Sequence, residues 1–286
     1  MSESSLTYSA LLFGPQDRGL VQVSMKDVSL WRLSGLNISG LKFSWPGSKI
    51  SPPMNIDLEK LKGRVGIFSL LTGARNIHVL SNLYGGDLDA EIGYKKNTLR
   101  SVDITLNKLN LKKMNFLESL SGSPLSGEIN LTVDLVSILD LKKDGHGNIK
   151  FNFENLSFGP GTINLPMGSM VPSLTVPKII LGKLLADISL DKGELSTKTF
   201  TLRGGDLEAD LKLSFTFGDR PEASHLEGQG WFSLKPELIK SNETLKMLYD
   251  LIPELKNAEQ NQGRVGFAIN GNIIRPQFRL EAYQAE

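Results

Sequence analysis

Cysteine is absent from the 286-residue sequence, and histidine is scarce, with three residues. Because Cys and His supply most zinc and copper ligands, we expect no metal site and no cofactor. His78, His146 and His225 are far apart in the sequence, so each is expected to be a surface or hydrogen-bonded residue. A protein without cysteine has no disulfides, which is compatible with the bacterial envelope and with the cytosol.

Excess charge and long apolar runs are missing as well. The 32 Lys and Arg residues against 31 Asp and Glu leave a formal net charge of +1, so bulk charge favours neither nucleic acid nor an anionic bilayer as a partner. No stretch approaches the roughly 20 apolar residues that span a bilayer as a helix, and residues 1–20 lack the pattern of a signal peptide. If the native protein is exported or anchored, we expect that segment to precede Met1.

The usual signatures of enzymes are also absent. The sequence has no Gly-x-Ser-x-Gly elbow, no Walker phosphate loop, no Gly-x-Gly-x-x-Gly and no His-Glu-x-x-His. Asp87, Asp89 and Glu91 superficially resemble the start of a calcium loop, but they alternate with Leu and Ala, so we interpret them as the solvated face of a strand. We therefore predict a protein that is not an enzyme and has no catalytic residues.

A repeated strand unit is the main feature that is present. Leu83–Ile92 and Leu202–Leu211 each combine a Gly-Gly turn with strict alternation of polar and apolar residues. Successive side chains leave opposite faces of a strand, so each copy predicts a strand with one apolar face. A weaker repeat follows Lys62 and Gln262, where both copies read Gly-Arg-Val-Gly. The repeats indicate that the chain consists of two related halves.

Alternation recurs along the chain between tight turns rich in Gly, Asp and Asn, which is typical of antiparallel hairpins and meanders. We predict a mainly β fold. Helical periodicity is convincing only from Pro236 to about Ala258, where Pro253 is expected to kink or end the helix. A shorter helical turn is an option at Lys113–Leu120. The predicted organisation is one domain over residues 1–286, built from halves of about 1–135 and 136–286.

The apolar faces of these strands form a surface that is larger than one helix can cover. A dozen or more strands at about 4.8 Å spacing form a sheet some 60 Å long, whereas a helix rises about 1.5 Å per residue. The apolar face must close into a dry core or stay partly open as a groove for acyl chains, and the sequence leaves both alternatives open. The residues expected to line this core or groove are Leu88, Ile92, Leu131, Val133, Leu207, Leu211, Leu213, Phe215 and Phe217.

The segment Leu165–Pro177 differs from the rest because it is an irregular but apolar loop. Loops usually carry polar residues at the surface, so this one is expected to pack over the sheet opening or to contact a partner. The candidate contact residues are Met167, Met170 and Val171.

Four further motifs stand out in the second half of the sequence: Gly161–Met167, Val176–Leu184, Asp191–Leu195 and Thr201–Leu211. Together they resemble the type II secretion system protein N family. The resemblance is clearest over about residues 160–275, and the copy that begins at Tyr84 is also similar to the strand starts of AsmA-like envelope proteins. It implies an elongated, curled antiparallel sheet with an apolar inner surface, a partly closed β-groove with one or two short capping helices.

The resemblance also implies a location and a role. It places the chain in the periplasm, held to the inner membrane by an N-terminal segment, as a non-enzymatic component of a type II secretion system. Its partners would be other secretion proteins, contacted through sheet edges and the Leu165–Pro177 loop. The alternative is an AsmA-like protein that binds or transfers phospholipid by holding acyl chains in the groove. The oligomeric state, the partner and the lipid stay undetermined by the sequence.

Overall fold

The computed structural model shows a chain made mostly of strands. It describes residues 6–10, 21–32, 34–45, 54–66, 74–95, 98–114, 123–137, 143–164, 173–218, 223–256, 263–272 and 275–281. The chain divides into two compact units, residues 1–132 (unit 1) and 133–286 (unit 2). The division falls within a strand, and the relatedness of the two halves stays a prediction.

Unit 1 is built from antiparallel strands. They are β1 (Leu6–Ala10), β2 (Val21–Met25), β3 (Asp27–Trp31), β4 (Gly35–Trp45), β5 (Met54–Val65), β6 (Ala74–Leu83), β7 (Gly86–Lys95) and β8 (Thr98–Asn110), followed by β9 (Leu125–Val136), which contains the division. The strand order is β1-β2-β4-β5-β6-β7-β8, and β3 pairs with β4 beside this path. A 3₁₀ turn, Leu111–Lys113, follows β8, and the Asn110 side chain accepts the amide of Lys112 there.

Unit 2 contains nine further strands. They are β10 (His146–Phe158), β11 (Gly161–Asn164), β12 (Ser173–Val176), β13 (Ile179–Asp191), β14 (Glu194–Arg203), β15 (Leu207–Thr216), β16 (His225–Leu234), β17 (Arg264–Asn272) and β18 (Arg275–Glu281). Seven of them follow the order β10-β13-β14-β15-β16-β17-β18, and β11 pairs with β12 separately. The prediction of a mainly β, antiparallel sheet with only short helices is confirmed, and the sheet is not closed.

The predicted helix from Pro236 to Ala258 is divided into three short helices. They are α1 (Pro236–Ser241), α2 (Glu243–Leu251) and α3 (Pro253–Lys256). Asn242 separates α1 from α2 because its backbone is extended. Its side-chain oxygen accepts a hydrogen bond from the amide of Leu245 and so caps α2. Pro253 separates the next two, as expected for a residue without an amide hydrogen. The shorter turn considered at Lys113–Leu120 lies mostly outside the described residues.

The two Gly-Gly repeats both form strand, turn and strand, but their registers differ. In the first copy Leu83 pairs with Gly86 across a two-residue turn, in which Tyr84 and Gly85 have φ of 50° and 81°. This is the turn geometry that matches the twist of a hairpin. In the second copy Leu202 pairs with Ala209, so the connection is longer. The same sequence pattern therefore specifies a hairpin without specifying its register.

Neighbouring strands explain the difference between the copies. The carboxylate of Asp206 accepts the amide of Ile180 at 2.8 Å, which ties the second turn to the start of β13. Gly205 lies so close to β13 that a Cβ there would be 2.2 Å from the carbonyl oxygen of Ile180. In the first copy the Tyr84 hydroxyl donates to the carbonyl of Asn55, and burial, with Asp57 nearby, raises the pKa of Tyr84.

Candidate functional site: the apolar face of the sheet

Apolar side chains form continuous rows across the strands of unit 2, since directly paired residues lie on the same face of a sheet. One row from β10 to β17 is Phe153, Leu184, Leu202, Ala209, Phe232 and Val265. A second row over the same strands is Gly147, Leu190, Leu195, Phe215, Leu226 and Gly271. Between them, Leu211, Gly230, Phe267 and Leu280 form a row from β15 to β18. These rows contain no charged residue.

The apolar face of unit 2 is only partly covered. All five residues predicted around β15 are half-buried: Leu207, Leu211, Leu213, Phe215 and Phe217. A further cross-strand row from β15 to β18 consists of Leu213, Gly228, Ile269 and Phe278. Phe278, at the end of this row, is 60% exposed. A closed sandwich core would bury such residues almost completely. The side chains of β15 therefore lie on a face that keeps substantial contact with solvent.

Aromatic rings cluster on this face. The rings of Phe215 and Phe217 meet edge to face with centroids 4.9 Å apart, and those of Phe267 and Phe278 stack at 5.5 Å. Phe151 and Phe153 of β10 are stacked at 6.3 Å. These distances are in the range at which aromatic pairs attract one another. Phe217 follows the end of β15 and joins the predicted set through its contact with Phe215.

The helices cover one end of the face. Leu255 of α3 and Val265 of β17 form a buried hydrophobic cluster. Tyr249 and Ile252 from the helical segment and Phe232 and Leu280 from the sheet pack against it. Val265 is 1% exposed, which makes this end the best-buried hydrophobic position described. The predicted role of the helical segment, capping the end of a sheet, agrees with these contacts. In the row of Phe215, Leu190 is 4% exposed whereas Phe215 is half-buried, so the coverage of the face differs from strand to strand.

Register irregularities occur at three successive strand pairs of unit 2. They lie between β10 and β13, between β13 and β14, and between β14 and β15. An extra residue on one strand bends that strand and increases its twist. The strands are therefore expected to bend locally at these points, and the strict alternation of faces read from the sequence fails at each of them.

Unit 1 also has an apolar face. Ile92 pairs with Val102 on one side and Ile77 on the other, and Leu88 pairs with Leu106 and Ser81. Both predicted residues are half-buried, as are Leu131 and Val133 of β9. The predicted residues are thus distributed over two units, and the structure does not assemble them into a single described site. Met167, Met170 and Val171 lie outside the described residues.

Sequence reasoning missed two clusters of cations around tryptophan on the polar faces. In unit 1, the Cζ of Arg32, the Nζ of Lys62 and the Cζ of Arg64 lie 5.2, 5.4 and 5.9 Å from the ring centroid of Trp31. In unit 2, Arg203 and Arg264 lie 5.1 and 4.2 Å from that of Trp231. Each pair is within the range of cation–π attraction.

The available signal was the repeated Gly-Arg-Val-Gly. Arg64 and Arg264 are 200 residues apart, and so are Trp31 and Trp231. The two motifs do not show which tryptophan contacts which arginine, because the contact depends on strand pairing. The equal separation of the two arginines and of the two tryptophans becomes informative only when the strand pairing is known.

The Trp231 cluster borders a depression of about 790 Å³ on the polar face of unit 2. Its central row is Thr201, Asp210, Trp231, Gly266 and Glu281. The Arg203 Nη2 donates to both carboxylate oxygens of Asp210 at 2.7 Å, and its Nη1 donates to two backbone carbonyls. Both terminal nitrogens of Arg203 therefore donate to acceptors within the protein. Through its contacts with Asp210 and Trp231, Arg203 of β14 links β14 to β15 and β16.

The histidines and acidic residues have local roles. His78 Nε2 lies 2.8 Å from Asp89 Oδ1, and His146 Nδ1 lies 2.9 Å from the carbonyl of Asp144, which agrees with the expectation of hydrogen-bonded histidines. Within the described part of the chain, no group of three or more acidic or histidine side chains is placed to hold a metal ion. Asp87 and Glu91 accept hydrogen bonds from asparagines of β6 on an exposed strand face.

Comparisons with known proteins add no family. No protein-family model, no curated protein and no solved structure matches the chain. The resemblance to the type II secretion system protein N family therefore stays a prediction. In the described ranges, no helix combines the length and the hydropathy needed to cross a bilayer.

Proposed function

We propose that the chain binds the acyl chains of a lipid on the apolar face of unit 2 and catalyses no reaction. The observation that carries this proposal is the incomplete burial of the face around Leu211 and Phe215 in a sheet that is not closed. Burial of apolar surface gains about 25 cal/mol per Å², so an apolar face left partly in water is unfavourable without an occupant.

The size and chemistry of the face suit this occupant. Seven strands spaced about 4.8 Å apart span about 29 Å, whereas the hydrocarbon of one bilayer leaflet is about 15 Å thick. One acyl chain can therefore lie within the face. Its rows contain Leu, Ile, Phe, Val, Ala and Gly and no charge, so they offer dispersion contacts and no specific polar recognition.

A second candidate function is that of a non-enzymatic periplasmic component of type II secretion that acts through protein contacts. The observation that favours it is the edge strand β18, where Phe278 is 60% exposed. An edge strand offers backbone amides and carbonyls to a strand from another chain. The partners would then be other proteins of the secretion system, next to the inner membrane.

The test of lipid binding is native mass spectrometry of protein purified without detergent, followed by lipid extraction. The variant carries Leu211→Asp and Phe215→Asp, which place two carboxylates on the apolar face. The matched control carries Lys212→Asp and Thr216→Asp, at the same spacing on the opposite face of β15, where both residues are exposed. We expect lipid on the wild type and the control and none on the apolar-face variant, with circular dichroism unchanged.

Two results would contradict acyl-chain binding. One is a wild type that stays free of lipid even after incubation with phospholipid vesicles. The other is a double variant that retains as much lipid as the control. A lipid-free wild type whose apolar-face variant unfolds while the control stays folded would indicate a closed core in solution, and protein contact would become the working function.

A further inference from the structure

The Trp31 cluster gathers three cations without a carboxylate. Arg32, Lys62 and Arg64 all lie within 6 Å of the ring centroid of Trp31. None of the three forms an ion pair with any other described residue. Like charges this close repel one another, and the indole face offsets this only partly. The cluster therefore concentrates positive charge in a chain of net charge +1, and the acidic residues in the cross-strand row that contains Arg64, which are Glu91 and Asp103, lie two and three strands away from it.

The backbone brings these residues together. Trp31 pairs with Gly35 of β4, and Gly35 pairs with Arg64 of β5, so all three lie in one row on one face. Lys62 is two residues before Arg64 and shares that face. Arg32 follows Trp31 in the hairpin turn with a φ of 56°, which is uncommon for a residue other than glycine. The cluster is thus a product of one hairpin and the strand beside it.

The opposite face of the same hairpin exposes large aliphatic side chains. Leu30 is 86% exposed, and its cross-strand partner Leu36 is 48% exposed. Val28, on the same face, is 44% exposed. These are three of the seven large hydrophobic residues that are most exposed among the described ones. A short hairpin therefore presents cations and an indole on one side and uncovered aliphatic groups on the other.

We propose that the tip of the β3–β4 hairpin, with the end of β5, docks on an anionic lipid surface. Arg32, Lys62 and Arg64 contact headgroup phosphates, and Leu30 enters the boundary with the acyl chains. Charge complementarity favours this occupant because cations near an anionic leaflet are attracted to it, while exposed aliphatic groups add apolar contact. A free phosphate would use the cations but would leave Leu30 in water.

This inference is independent of acyl-chain binding. It concerns unit 1 and the charge of a membrane surface, whereas the proposed function concerns the apolar rows of unit 2. Uptake of a lipid tail does not require an anionic headgroup, so vesicles of neutral and anionic composition separate the two. The failure of one proposal leaves the other standing.

The experiment is flotation of the full chain with phosphatidylcholine vesicles, with and without phosphatidylglycerol. We expect binding to the anionic vesicles only, weakened by added salt. The variant with Arg32→Gln, Lys62→Gln and Arg64→Gln is expected to bind about a hundredfold more weakly, since each basic residue near an anionic surface contributes about fivefold. Leu30→Ser is expected to weaken binding about tenfold without changing its salt dependence.

A charge-matched control has Lys192→Gln, Lys235→Gln and Lys240→Gln, which remove three exposed lysines from unit 2. It is expected to bind like the wild type, and circular dichroism must show all variants folded. Equal binding to neutral vesicles, full binding by the triple variant, or equal losses in variant and control would each overturn the proposal. Competition by inorganic phosphate alone at low concentration would also overturn it, because it would assign the cluster to a free anion.

Discussion

The clusters around Trp31 and Trp231 begin with the same residues and end with different electrostatics. Each unit places the arginine of a Gly-Arg-Val-Gly motif over a tryptophan 33 residues earlier in the sequence. In unit 2, Arg203 forms an ion pair with Asp210. In unit 1, three cations surround the indole, and no described carboxylate pairs with them.

The difference shows that one motif can occur in two different electrostatic environments. A cation over an indole gains roughly 0.5–1 kcal/mol at an exposed site. Where the chain adds a carboxylate, the gain is used to join neighbouring strands, as at Arg203. Where it adds further cations, as at Arg32 and Lys62, compensation has to come from solvent, salt or an external anion. The glycine and the valine beside the arginine also have different surroundings in the two Gly-Arg-Val-Gly motifs.

The largest expected effect concerns the valine after each arginine. Val265 is 1% exposed beneath α3, whereas Val65 is half-buried. Val265→Asp is expected to lower the free energy of unfolding by more than about 3 kcal/mol, because it removes apolar burial and places an unpaired charge in the core. Val65→Asp is expected to cost about 1–2 kcal/mol. Urea unfolding followed by circular dichroism measures both, and equal losses would show that the two units bury this position alike.

A medium effect is expected at the glycine before each arginine. Gly263 has a φ of +75°, and a Cβ there would lie 3.3 Å from the Ser233 hydroxyl oxygen. Gly63 lacks a positive φ, and a Cβ would meet nothing within 4 Å. Gly263→Ala is therefore expected to cost about 1–2 kcal/mol, and Gly63→Ala to be neutral or slightly stabilising. Thermal unfolding of the pair tests this, and a cost at Gly63 equal to that at Gly263 would refute it.

The smallest expected effect is obtained by making the second cluster resemble the first. Asp210→Asn removes the negative charge beside Arg203 but keeps a hydrogen-bond acceptor. Because both side chains are partly exposed, we expect a loss of about 0.5–1 kcal/mol in low salt and a smaller loss in high salt. Urea unfolding at two salt concentrations measures this. A loss that does not depend on salt would mean that Asp210 acts through shape and not through charge.

The fold could be predicted from local patterns because side chains on a strand alternate between its two faces, so a strand with one apolar face shows an apolar residue at every second position. Turns such as that around Lys192 and Gly193, both with positive φ, and the break at Pro253 are local as well. The register of the second Gly-Gly repeat was not accessible, since it depends on contacts with β13. The break at Asn242 was missed because helical periodicity continues across it, and only the side-chain cap of α2 shows why the helix stops.

The candidate sites were less accessible for the same reason. Alternation identifies which side chains share a face, but it does not show whether another element covers that face. The half-burial of Leu211 and Phe215 is therefore a structural observation. Cation–π contacts depend on strands that are distant in sequence, such as β3 and β5, so the Trp31 cluster had no local signature beyond a four-residue repeat.

The open edge at β18 has a consequence for how the protein behaves when concentrated. An edge strand that carries an exposed Phe278 can template pairing between molecules and start aggregation. Pro276 lacks an amide hydrogen, and Arg279 with Glu281 places charges on the same strand. Proline and charged residues of this kind interrupt strand-by-strand growth. We therefore expect the colloidal stability of the chain during purification and storage to depend on these few positions of β18.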